Sequence, residues 1–88
     1  MISSLLALSQ TVIDLDLKQG IEMGLDAKLA NVLHALQDVN VNNDVAAINS
    51  LNAFINAVEA QHGKVIYDAD ANSLLSIAQQ IIAQLNPF

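Results

Sequence analysis

The sequence predicts an all-α fold, a small antiparallel bundle of four helices with a short first helix and three longer ones. Three observations predict it. Apolar residues recur at steps of three and four along nearly all of the 88 residues, the spacing of one helix face. Capping and stop residues punctuate that pattern at intervals a helix can fill. The β-like run Lys64 to Tyr67 is too short to found a sheet. Amphipathic helices joined by short loops must bury their stripes against each other, and a bundle is the way to do so.

In the first segment Leu5, Leu8, Val12 and Leu15 form the stripe, with Ser3 or Ser4 available as cap, so helix one is expected over 4–14. Its shortness suggests an arm packed on the other three. Asp16-Leu17-Lys18-Gln19 reads as a capping box, an Asp at the N-cap and a Gln three residues on. Helix two then follows over 17–39, its stripe running Leu17, Ile21, Leu25, Leu29, Val32, Leu33, Leu36. Gly20 and Gly24 lie inside it at a cost of ~1 kcal/mol each against Ala. Their four-residue spacing predicts close approach of a neighbouring helix. A membrane dimer motif does not fit, because Glu22, Asp26 and Lys28 sit beside them.

Asn40-Val41-Asn42-Asn43 reads as the next loop, since Asn tolerates left-handed backbone. Asp44, or Asn43, caps helix three over 44–62, with a stripe of Val45, Ile48, Leu51, Ile55 and Val58 and a wet face of Asn49, Asn52, Asn56 and Glu59. Gly63 is its stop signal. Asp68 and Asp70 load the first turn of helix four, where the helix dipole favours negative charge. Leu74, Leu75, Ala78, Ile81, Ile82 and Leu85 carry that helix over 68–85, and Asn86-Pro87 ends it. The expected core is Leu29, Leu33, Leu36, Ile48, Leu51, Ile55, Val58, Leu74, Ala78, Ile81 and Leu85. Ile13, Ile21, Met23, Phe54, Ile77 and Phe88 fall off these lines.

Residues 1–88 make one domain. A chain of this length buries roughly 60–65% of its unfolded surface, enough for one core with little reserve. Hydrophobic residues are 53% and aromatic residues 3%, so the core is aliphatic and the chain is not disordered. The net charge of −6 excludes a basic nucleic-acid footprint. With no Cys there are neither disulfides nor thiolate metal sites. The longest uncharged stretch, Ala71 to Phe88, is interrupted by Asn72, Ser73, Ser76, Gln79, Gln80 and Gln84, so no membrane span is expected. Met1-Ile2-Ser3-Ser4 lacks the basic start of a signal peptide.

The residues announce no reaction. His34 lies off the main stripe and His62 sits at the end of helix three, where a cation suits the dipole; no third ligand is spaced with either. Asp38-x-Asn40-x-Asn42 resembles the first half of a calcium loop, which makes Asp38, Asn40, Asn42 and Asp44 the metal candidates. The twelfth position is Asn49, which cannot supply the bidentate carboxylate such a loop needs. Asp68-x-Asp70-x-Asn72 repeats the half-pattern at a helix start, and helix capping explains both clusters without metal. The pairs Asp14 with Asp16 and Asp68 with Asp70 sit at helix ends, without the apolar burial that raises a carboxylic pKa for acid–base work. No nucleophile elbow and no phosphate-cradling Gly loop occurs, so an enzyme and a cofactor are not expected. The Asn row at 49, 52 and 56 is a solvent face or a hydrogen-bonding contact surface.

Over about three quarters of the chain a family resemblance can be drawn. Leu25-Asp26-Ala27-Lys28-Leu29, the block Ala46 to Lys64 and the run Asp68-Ala69-Asp70-Ala71-Asn72-Ser73-Leu74-Leu75 resemble the FIMAH-type helical domain. Such domains are helical appendages of secreted or cell-surface multidomain bacterial proteins. Tyr67 stands where a small hydroxyl cap is usual in that pattern, which moves the cap to Asp68, and Asn42 stands where Gly is common. The resemblance implies an all-α accessory module without catalytic residues, extracellular or at the cell surface as part of a larger protein. It also makes the chain an excised domain of that protein. The function expected is therefore protein–protein contact or domain spacing, with a calcium-responsive binding module at 38–44 as the alternative. The partner expected is a neighbouring domain or a second copy. A mean hydropathy of +0.42 favours the second copy, because a small bundle cannot hide so much apolar surface.

Overall fold

A computed structural model describes residues 2–37, 44–64 and 66–85. Four helices follow one another: α1 (Ile2–Asp14), α2 (Gln19–Gln37), α3 (Asp44–Gln61) and α4 (Asp68–Leu85). The connection of residues 15–18 reaches at most about 14 Å, too short to return a helix to its own start, so α1 and α2 run antiparallel. Each helix packs against two others, α1 on α2, α2 on α3, α3 on α4 and α4 back on α1. The ring is therefore closed, with a Cα radius of gyration of 12.5 Å.

α1 is a full member of this ring and not an arm. Leu5, Leu8 and Val12 are wholly buried, as the stripe requires. The helix starts at Ile2, so Ser3 and Ser4 lie inside it and neither caps it. α2 buries Leu25, Leu29 and Val32, whereas Leu33 and Leu36 are only half-buried at the flank. On α4 the buried line is Ala71, Leu74, Ala78, Ile81 and Leu85, close to expectation.

The largest departure is on α3. Its buried line is Ala47, Leu51, Phe54 and Val58, while Ile48 and Ile55 pack only at the edge of the core. Phe54 was expected off the core and is instead its largest fully buried side chain. Both candidate stripes contain Leu51 and Val58 and both have helical spacing. They differ by a small rotation about the helix axis. Apolar residues flank both lines opposite the wet face, so spacing does not choose between them. Burying the Phe54 ring removes more apolar surface from water than burying Ile55, and area sets the rotation.

Two helix starts also differ from expectation. Asp16 does not cap α2. Its φ of +52° is left-handed, and its N–H donates to the Ile13 carbonyl at 3.1 Å, so it ends α1. Asp tolerates that conformation better than most side-chain-bearing residues. The first bond of α2 runs from the Glu22 N–H to the Lys18 carbonyl at 2.9 Å, which puts Lys18 at the N-cap. Likewise the Ala71 N–H donates to the Tyr67 carbonyl at 2.8 Å, so Tyr67 is the N-cap of α4 and Asp68 its first helical residue. Ile66 and Ala71 then occupy the positions of a hydrophobic staple, and both are buried.

The rotation of α3 is testable. Phe54→Ala and Leu51→Ala are expected to cost about 3–5 and 2–4 kcal/mol in urea unfolding, and Ile55→Ala distinctly less. Equal losses at Phe54 and Ile55 would mean that the helix is turned the other way.

Candidate functional site

Loops hold what chemistry this chain has, and two of them lie side by side at one end of the bundle. One is the α1–α2 turn, residues 15–18, closed by the left-handed Asp16. The other is the α3–α4 turn, 62–67. Gly63 there has φ +76°, a conformation glycine adopts without strain. Its N–H donates to the Ile66 carbonyl at 2.8 Å, and the Ile66 N–H donates to the Gln61 carbonyl at 3.1 Å. His62 and Ile66 form an isolated β-bridge, so the β-like run at 64–67 supplies a bridge residue and no strand. His62 Nε2 lies 2.8 Å from Asp68 Oδ1 and ties the end of α3 to the first turn of α4. With His62 half-buried and Asp68 exposed, such a contact is worth about 0–1 kcal/mol.

Between the two turns opens a cavity of about 390 Å³. Leu15 and Leu17 form its apolar side, and Lys18, Lys64, Tyr67 and Asp70 its polar side, with Asp16 at the turn. A second, smaller groove of about 280 Å³ runs between α2 and the end of α3, lined by Gly20, Gly24, Leu25, Lys28, Ala57 and Ala60 among others. This groove corrects the expectation for the glycines. A Cβ on Gly20 or Gly24 would meet nothing within 4 Å, so no helix approaches closely there; the missing side chains leave open space. Lys28 spans the groove's edge and its Nζ donates to the Gly24 carbonyl at 3.5 Å.

The other candidates are placed as follows. Of the calcium candidates, Asp38, Asn40 and Asn42 lie outside the described residues, and Asp44 begins α3. Among the described residues no three potential metal ligands of the His, Cys, Asp and Glu types gather. His34 is exposed in the last turn of α2. Asp14 and Asp16 are exposed, and Asp14 accepts a hydrogen bond from Gln10 at 2.9 Å. Asp70, by contrast, is half-buried beside the cavity. Asn49, Asn52, Asn56 and Glu59 are all exposed, the wet face that their spacing implies. Among the described residues no helix is long and apolar enough to cross a membrane. Sequence reasoning missed the cavity, because its lining comes from two turns far apart in the chain. The signal available was that Lys18 and Lys64, two of three bases, both fall in connections.

The chain matches no protein-family model, no curated protein and no solved structure.

The glycines are expected to respond in opposite directions. Gly63→Ala forces a side chain into left-handed backbone and is expected to destabilise by about 1–2 kcal/mol. Gly24→Ala fills open space in a helix interior and is expected to stabilise by up to ~1 kcal/mol, Gly20→Ala by less because it sits in the first turn. Thermal unfolding of the three variants checks both signs.

Proposed function

We propose that this chain is a non-catalytic helical accessory module that mediates protein–protein contact or spaces neighbouring domains within a larger exported protein. The resemblance of its α3 block to FIMAH-type domains supports the exported setting. The observation that carries the contact reading is apolar surface left outside a filled core. Leu6 is 53% exposed and Ile13 49%, seven residues apart on one face of α1. On α2, Met23 is 61% exposed and shares a face with the exposed Ala27 and Ala30. These outer faces carry little charge in a chain of net charge −6; the one charged residue of α1 is Asp14 at its end. Apolar surface free of like-charge repulsion is where a second protein surface can sit.

A second copy is the simplest occupant, because two-fold self-complementary contacts are the commonest. One helix face buries little area, so the association is weak, and salt strengthens it by screening the acidic surfaces over about 8–10 Å. Size exclusion with light scattering tests this at about 150 mM salt. The expected mass rises above one chain with concentration, and Leu6→Lys with Ile13→Lys returns it to one chain while helicity is kept. A wild-type mass of one chain throughout discards the second copy and leaves a neighbouring domain of the host protein as the partner. Substitutions that alter neither self-association nor contact with that domain would remove these faces from the reading.

A further inference from the structure

We propose that the cavity between the α1–α2 and α3–α4 turns binds a small zwitterion, an α-amino acid with an apolar side chain. It is held between the ammonium groups of Lys18 and Lys64 and the carboxylates of Asp70 and Asp16.

Bases are scarce in this chain, three against nine acids, yet two of the three line this one cavity. Together with Asp16 and Asp70 they make a lining whose formal charges cancel, within a protein that is strongly acidic elsewhere. A simple anion would meet two carboxylates there, and a simple cation two ammonium groups. A ligand carrying both charges at short separation meets an opposite partner at each end.

The poles of the cavity also differ. α2 starts beside Lys18 with no side-chain cap on its first N–H groups among the described residues and a single acid, Glu22, in its first turn, so the positive end of its dipole is only partly offset and adds to the lysine. α4 starts with Asp68 and Asp70, which reverse the sign at its own start, and Asp70 is half-buried against the cavity. The ligand carboxylate is therefore directed to Lys18 and its ammonium to Asp70. Leu15 and Leu17, half-buried at the turn, supply apolar surface for the side chain. Tyr67 stands at the rim, 78% exposed, its ring free to cover an apolar or aromatic group. The volume of about 390 Å³ lies in the range of small-ligand pockets and well below that of a folded partner.

Heteronuclear NMR on the whole chain tests this with L-phenylalanine as the probe. Phenylpropanoate, which lacks the ammonium, and phenethylamine, which lacks the carboxylate, are run beside it. The expected result is saturable shifts confined to the amides of 15–20 and 63–71, with a Kd of about 1 mM. Both analogues are expected to bind at least about fivefold more weakly, and Lys18→Gln and Asp70→Asn to weaken L-phenylalanine by about two- to fivefold. The helical circular dichroism signal must be unchanged in each variant; Lys18→Gln, at an exposed turn position, keeps the test usable if Asp70→Asn unfolds. Three results overturn the proposal: no saturable shift, an analogue that binds as tightly as L-phenylalanine, or shifts that map to the α2–α3 groove.

Discussion

Burial of aliphatic stripes is the constraint on which everything else in this structure depends, because the chain has little else to hold it together. It contains no Cys, and among the described residues no polar or charged side chain is buried. The contact between His62 and Asp68 lies at the surface and is correspondingly weak. Each helix is amphipathic, and most of a helix's stability in a protein comes from packing its apolar face. Closing the ring of four helices gives every stripe two partners. Small residues on the buried lines, Ala47, Ala71 and Ala78, let the helices approach, and Phe54 supplies the bulk that an aliphatic chain otherwise lacks.

The same constraint pushes the distinctive chemistry to the ends. A packed ring leaves no room inside for charge, so the titratable groups of interest gather where the backbone turns. The two turns at one end solve the same problem with different residues. At α1–α2 an Asp takes left-handed backbone; at α3–α4 a Gly does, while Ile66 folds back as a buried plug and holds the turn by its backbone. The pair of turns side by side makes a cleft, and Lys18, Lys64 and Asp70 line it by virtue of where the helices stop.

The exterior divides by charge in a way that bears on recognition. The outer side of α1 and part of α2 are apolar and nearly uncharged. The outer side of α3 bears the Asn row, and that of α4 carries Ser, Asn and Gln from 72 to 84. The acidic groups concentrate toward helix ends. Desolvation costs least over the outer faces of α1 and α2, where the proposed protein contact lies, and the proposed small-ligand site lies at the turns.

Periodicity in the sequence by itself determined the helix count, the order and the limits of α3 and α4 within a residue, and the buried lines of α1 and α4. Those follow from local rules: spacing along one helix and residues that start or stop it. Tertiary structure alone decided the rotation of α3. A helix whose apolar residues spread beyond one narrow stripe has no single preferred buried line until two neighbours compete for it, and Phe54 then wins over Ile55 by area. It also decided that Asp16 closes α1 instead of opening α2, since a capping side chain and a left-handed turn residue draw on the same residue types. The groove at Gly20 and Gly24 depends on how far α3 stands from α2, a distance no spacing encodes. The cavity joins residues nearly fifty positions apart, and only the closure of the ring brings Lys18 and Lys64 to the same end of the molecule.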